Sequence, residues 1–293
     1  MDLISHVTLL GGACTRRQLI ARCGRTEVDA ALRRGDVIPT SRGRYALPTS
    51  QESIRLASAV AGVLSHRSAA QHWGWAQKQV PDRPEVTVPR DRRLRGTTPA
   101  FVHPHWADLA PDEVDGVATT RERTLIDCMR NLPLDVSLPI VNSAIRADDF
   151  TVARVRELAD LSRGRGRARI RAVGAAATGK PANAFESVLN AQALLVPGLA
   201  VTPQLPVWVP SLGKTLHPDL ADPGLRIVVE AEGFESHRKP AAITRDCERY
   251  NAFVLMGWLV LRFSWRQVMF EAAYVHRVLL AAVSGVHQPA NVA

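Results

Sequence analysis

The sequence predicts a mixed α+β and α/β chain. A small helical unit with a β-ribbon comes first, then a middle α+β domain, then a C-terminal mixed sheet flanked by helices. Three observations predict this. Helix-capping signals alternate with short β-branched runs along the chain. Strand signals recur in succession after residue 183, near Val201–Val207, Thr215–Asp219 and Leu225–Ala231. The 293 residues are 46% hydrophobic, enough to build two or three cores rather than a disordered chain.

Residues 1–50 carry the punctuation of a compact helical unit. Thr15-Arg16-Arg17-Gln18 is a capping box ahead of Leu19 and Ile20. Thr26 is placed to cap a second helix through Val28, Ala31 and Leu32, which Gly35 stops. Val37-Ile38-Pro39, a turn at Ser41-Arg42-Gly43, and Arg44-Tyr45-Ala46-Leu47 make a β-ribbon. Helices followed by a two-stranded wing is the order of a winged helix-turn-helix. In that arrangement Arg25, Thr26, Glu27, Arg33 and Arg34 face the DNA major groove, and Arg42 and Arg44 lie on the wing near phosphates. Such units also serve as protein-docking modules.

Residues 51–150 read as the middle domain, with a helix over 52–64, a strand at Pro84–Pro89, and helices after Thr120 and from Asp135 to Arg146. His66 and His72 are six residues apart with no third ligand nearby, so they read as packing or capping histidines. The arginines at 90, 92, 93 and 95 are either a solvated loop or a second phosphate contact. Residues 151–182 form a basic helical connector, whose Arg163, Arg165, Arg167, Arg169 and Arg171 either meet phosphates at a helix start or are solvated.

Residues 183–293 read as helix, three strands, helix, strand, helix. Helices are expected from Asn183 to Leu195 and from Pro240 onward, the latter with Ile243, Cys247, Tyr250 and Val254 on one face. Trp258–Phe263 is expected as a buried strand, and Ser264-Trp265-Arg266-Gln267 as another capping box. The most informative stretch is a hairpin. Pro223 and Gly224 suit a type II turn that pairs Asp222 with Leu225. That register sets Asp219 opposite Val228, with Glu230 two residues further along the same face. Such diagonal neighbours lie about 7–8 Å apart, a span across which two carboxylates can lean to share one Mg²⁺ with oxygen ligands at about 2.1 Å. A strand reading Leu-Arg-Ile-Val-Val-Glu-Ala is covered on both faces, so its carboxylate needs a partner.

The formal charge of +9 and a pI near 10.1 point to a polyanionic partner, above all nucleic acid. Only Lys78, Lys180, Lys214 and Lys239 are lysines among 37 basic residues, and arginine suits bidentate phosphate contact. The four cysteines have no metal-type spacing and read as buried thiols of a reducing compartment. The first residues lack a signal-peptide pattern, and the longest uncharged run is broken by prolines, so a cytoplasmic protein with no membrane partner is expected. No Gly-rich phosphate loop, zinc pattern or Gly-x-Ser-x-Gly elbow is present.

Two resemblances bear on these residues. Pro218-Asp219, the strand Val228 to Gly233, His237, Arg245-Asp246 with Arg249, and Gly257-Trp258 to Phe263 resemble the PD-(D/E)xK superfamily, in its branch related to very-short-patch-repair endonucleases. That resemblance implies a restriction-endonuclease-like fold, Mg²⁺ or Mn²⁺ held by Asp219, Glu230 and Glu186, and His237 as a proton donor or water positioner. The Lys expected two residues after the Glu is replaced by Glu232, an acid that relatives of this branch often carry and that can serve as a further metal ligand. In the first 150 residues, Gly12 to Leu19, Leu32-Arg33-Arg34-Gly35, Arg42 to Leu47, Leu64 to Ala70 and Thr119 to Asp127 resemble the AbiEi-like antitoxin and transcriptional-regulator group. That resemblance implies operator binding to double-stranded DNA, with a cognate toxin or a second copy as partner. The expected function is a DNA-binding protein with a divalent-metal-dependent endonuclease-like domain. The alternative is an antitoxin-like regulator whose nuclease-like domain is inactive.

Overall fold

The computed structural model describes residues 2–95, 98–233 and 240–286, a mixed α+β chain that divides into two compact units, Met1–Cys128 and Met129–Ala293. Among the described residues no helix is long and apolar enough to cross a membrane.

The first unit opens with the helix Leu3–Leu9, the strand Ala13–Thr15, the helices Arg16–Cys23 and Arg25–Arg34, and the hairpin Ile38–Ser41 with Arg44–Ala46. The three strands form one sheet with Arg44–Ala46 in the middle. The Thr15/Gln18 capping box forms as expected. Thr26 does not cap the next helix: Gly24, at φ 78°, holds the cap position and the helix begins at Arg25. Gly35 ends it in the left-handed conformation at φ 77°, a backbone that glycine adopts without a Cβ penalty. Leu3, Val7, Leu19, Val28, Ala31 and Tyr45 close a core of their own.

A second core in this unit gathers Ile54, Leu64, Val86, Val88, Val102 and Ala118 around a five-stranded mixed sheet. The helix expected over 52–64 stops at Ala59, because Ala61 turns left-handed at φ 59° and Val63–Leu64 pairs into the sheet. His66 is a packing residue, stacked on His105 with ring centroids 3.7 Å apart. Burial and the neighbouring His105 push its pKa down to about 4, so it packs uncharged. Cys14 and Cys128 are buried as expected, whereas Cys247 is exposed.

In the second unit the helices Leu134–Arg146, Val152–Leu161 and Arg167–Ala176 precede a four-stranded sheet. The sheet runs Leu259–Ser264, Ile227–Glu232, Leu220–Asp222, Thr202–Pro203, and only its first pair is parallel. Ile227 and Val229 bury against Val188, Leu189, Phe263 and Leu279 on one face. Val228 buries with Ala221, Val209 and Phe253 on the other. Both faces of the central strand are therefore covered, as its apolar run requires. Trp258–Phe263 departs from expectation. It supplies an edge strand, Leu259–Ser264, in which Phe263 alone is buried. The helix Pro240–Leu255 also turns a different face inward: Ala252 and Phe253 are buried, and Cys247 and Val254 are exposed.

Candidate functional site

The expected type II turn is replaced by a longer loop, and this changes the site. Asp222 pairs with Ile227, Ala221 with Val228, and Leu220 with Val229. Four residues, 223–226, connect the strands. Gly224 is not in the left-handed region that a type II turn demands there. Arg226 takes that conformation instead, at φ 51°, and the Asp222 side chain accepts from Leu225 N at 3.0 Å. Continuing the observed register sets Asp219 level with Glu230 rather than with Val228, so the two carboxylates are direct rather than diagonal neighbours.

The hydrogen bonds agree. Ala231 N donates to Asp219 Oδ2 at 2.8 Å, and Asp219 N points at Glu230 Oε2 at 3.5 Å. Glu186 joins from the first turn of the helix Ala184–Ala193, held by Ala182 N at 2.7 Å and Asn183 Nδ2 at 2.9 Å. Between Glu186 and Asp219 lies the Gln204 side-chain amide, 3.3 Å from Glu186 Oε2 and 3.3 Å from Asp219 Oδ1. Gln204 sits in the left-handed region at φ 52°, a backbone that a non-glycine residue holds at a cost of about 1–3 kcal/mol.

Burial and the charge of Asp219 mark these acids. Burial raises the pKa of all three carboxyls, and the Asp219 charge raises Glu186 further. Glu230, only 5% exposed, is pushed up to about 7 by burial, with Asp219 adding and Arg249 opposing. Arg249, from the helix Pro240–Leu255, binds Glu230 Oε1 at 2.8 and 3.2 Å and His217 O at 2.8 Å. Glu232, on the same face as Glu230, is occupied by Arg262 at 2.7 Å and by the Tyr250 hydroxyl. The Arg262 guanidinium also lies 4.1 Å over the Tyr250 ring. His237 lies outside the described residues.

From N–H donors, Asp219 Oδ1 and Glu230 Oε2 receive only long hydrogen bonds, at 3.3 Å and 3.5 Å, and the two carboxyls also hydrogen-bond to each other. Among the described residues no three His, Cys, Asp or Glu side chains group as ligands for one ion. Magnesium, however, keeps several waters and is commonly held by one or two carboxylates. An all-oxygen pair with spare lone pairs fits such a hard cation, with Glu186 held back by the Gln204 bridge. Sequence reasoning missed Gln204 and a role for Arg249. Both reach the site through tertiary packing.

In the first unit Arg25, Thr26 and Glu27 are exposed at the start of their helix, and Arg33 and Arg34 are exposed at its end. Arg34 is already paired with Glu27 at 2.7 Å and with Asp36 at 2.8 Å. Arg42 is exposed at the hairpin turn. Arg44 is half-buried in the middle strand rather than on the ribbon's edge, and burial lowers its pKa.

Compared with known proteins, the sequence matches no family model, and no curated protein matches it. Among solved structures it is similar to the RV2827C protein from Mycobacterium tuberculosis, with 19% identity and a TM-score of 0.31 over 73% of this chain and 90% of that one.

Proposed function

We propose that this chain binds duplex DNA through residues 1–50, folded as a winged helix-turn-helix, and hydrolyses phosphodiesters at a restriction-endonuclease-like site with a divalent cation. One observation carries the reading. Asp219 and Glu230 are held level on adjacent strands, with raised pKa values and one weakly bonded oxygen each. Two buried acids so close repel one another, and a cation is the partner that relieves them.

Asp219 Oδ1 and Glu230 Oε2 would hold the ion, which when bound lowers the pKa of water and offsets charge on the scissile phosphate. The chain's own residues set the geometry. Ala231 N fixes the Asp219 carboxylate, Arg249 fixes Glu230, and Gln204 fixes the spacing to Glu186. Arg25, Arg33 and Arg42 supply exposed positive charge for backbone phosphates. The duplex is the partner, and Mg²⁺ or Mn²⁺ the cofactor.

The ion pairs favour a second reading. Arg249 already neutralises part of Glu230, and the acid at 232 is tied to Arg262 and Tyr250 where the superfamily carries a free lysine. Under it the chain is an antitoxin-like transcriptional regulator that keeps the nuclease-like domain for DNA or partner binding. Supercoiled plasmid incubated with the protein in Mg²⁺, Mn²⁺ or chelator separates the two. Metal-dependent nicking that disappears in Glu230→Gln, with duplex binding retained, supports the nuclease. Salt-sensitive binding in chelator with no nicking in either metal supports the regulator.

A further inference from the structure

A second site lies in the same unit and uses none of the carboxylate residues. Arg130 lies in the last turn of the helix Arg121–Asn131, and its Nε is buried with no hydrogen-bond partner among the described residues. A buried guanidinium N–H left unpaired costs free energy, which an anion held by the same guanidinium would offset. Arg130 lines an open cavity of about 630 Å³ together with Asn131, Arg165, Gly166, Ala168 and Arg169. Three of those six are arginines and none is acidic. Arg165 and Arg169 are exposed, and Arg169 Nη1 is steadied by the Arg130 carbonyl at 3.2 Å.

The backbone contributes as well. The helix Arg167–Ala176 starts at this cavity, and no side chain caps it. Its cap residue, Gly166, is left-handed at φ 81°. A Cβ there would fall 2.7 Å from Arg130 Cγ and 3.1 Å from Arg130 O. Only glycine lets this loop close on Arg130 and bring the uncapped helix start beside the three guanidinium groups. Uncapped first-turn N–H groups and the positive end of a helix dipole favour a tetrahedral anion. Planar guanidinium forks match its oxygens bidentately.

We propose that Arg130, Arg165 and Arg169, with the start of the Arg167–Ala176 helix, bind a phosphate group. That group is supplied either by the DNA backbone or by a free phosphate compound. The arginine run over 163–171 is then divided: Arg165 and Arg169 face the ligand, while Arg163 donates to the carbonyls of Asp160 and Ser162. The site does not depend on metal-assisted hydrolysis, and its test leaves cleavage out.

The experiment uses the full chain in chelator, with Arg130→Gln and Arg165→Gln alongside. Arg165 is exposed, so its replacement keeps the fold even if the Arg130 variant does not. Melting temperature is followed while inorganic phosphate replaces chloride at constant ionic strength. A ligand that binds only the folded state raises it along a saturating curve. The expected result is saturable stabilisation of the parent chain that is lost in either variant. Duplex binding then identifies the source. If the phosphate belongs to DNA, Arg165→Gln flattens the slope of log K against log salt by about 0.9. An unchanged slope with the phosphate effect lost assigns the site to a free phosphate compound. No saturable stabilisation of the parent chain, or equal stabilisation in both variants, overturns the proposal.

Discussion

Replacing Glu230 by Gln should make the stability of this chain less sensitive to pH. In the folded protein the Glu230 carboxyl titrates at about 7, against an ordinary 4.5, because it is buried beside Asp219. Between those values the folded chain holds a proton that the unfolded chain has released. Stability therefore falls as pH rises through that window and levels off above it. Each pH unit is worth about 1.4 kcal/mol, so the whole displacement amounts to about 3 kcal/mol. Glutamine keeps the shape and cannot ionise. It also forfeits the charged bond to Arg249, and that loss takes full effect only where glutamate is ionised. Glu230 reaches about 7 with Arg249 in contact, so this loss does not cancel the gain. The assay is urea unfolding in chelator at pH 5, 6, 7 and 8. Relative to the parent chain, Glu230→Gln should gain about 3 kcal/mol between pH 5 and pH 8. The same difference at both ends would mean that Glu230 ionises as an ordinary surface acid, and the reading of a strained pair would fail.

Other outcomes follow from the same contacts. Arg249→Gln leaves Glu230 buried without its cation, and above pH 7 it should destabilise the metal-free chain by about 3 kcal/mol in urea unfolding. The same variant frees Glu230 Oε1, so calorimetric titration should show tighter binding of Mn²⁺. Thr15→Ala removes the side-chain half of a capping box, and thermal or urea unfolding should show a loss of about 1 kcal/mol. Arg25→Gln and Arg42→Gln should each weaken duplex binding and reduce the salt slope by about 0.9. Arg34→Gln should change the slope less, since Arg34 is already neutralised by Glu27 and Asp36.

What was legible in the sequence was local. Both expected capping boxes formed, at Thr15/Gln18 and Ser264/Gln267, because a cap is decided by residues three apart. Gly35 and Gly257 end their helices for the same reason. Thr26 failed as a cap because Gly24, two residues earlier, offered a left-turning entry that no capping motif announces. The acidic pair was legible as a pair, but not in its register. The hairpin loop puts Arg226 rather than Gly224 in the left-handed region, an arrangement with no residue signature. Asp219 and Glu230 consequently stand closer than expected. Arg249 lies 19 residues beyond Glu230 on a helix, and Gln204 reaches the site from a connecting segment before the hairpin. Neither contact has a local pattern. The strand at 259–264 reads as buried because it is apolar, yet position in a sheet is settled by which strands remain to pair with it, and among the described residues none does on its outer side.

The proposed function requires that Asp219 and Glu230 together hold a divalent cation. Calorimetric titration of the chelator-treated protein with Mn²⁺ at pH 6 and pH 8, beside Asp219→Asn, tests it most directly. Saturable binding should tighten from pH 6 to pH 8, as Glu230 gives up its proton, and should disappear in the variant. Absence of saturable binding at pH 8, or binding of equal strength in Asp219→Asn, would contradict it.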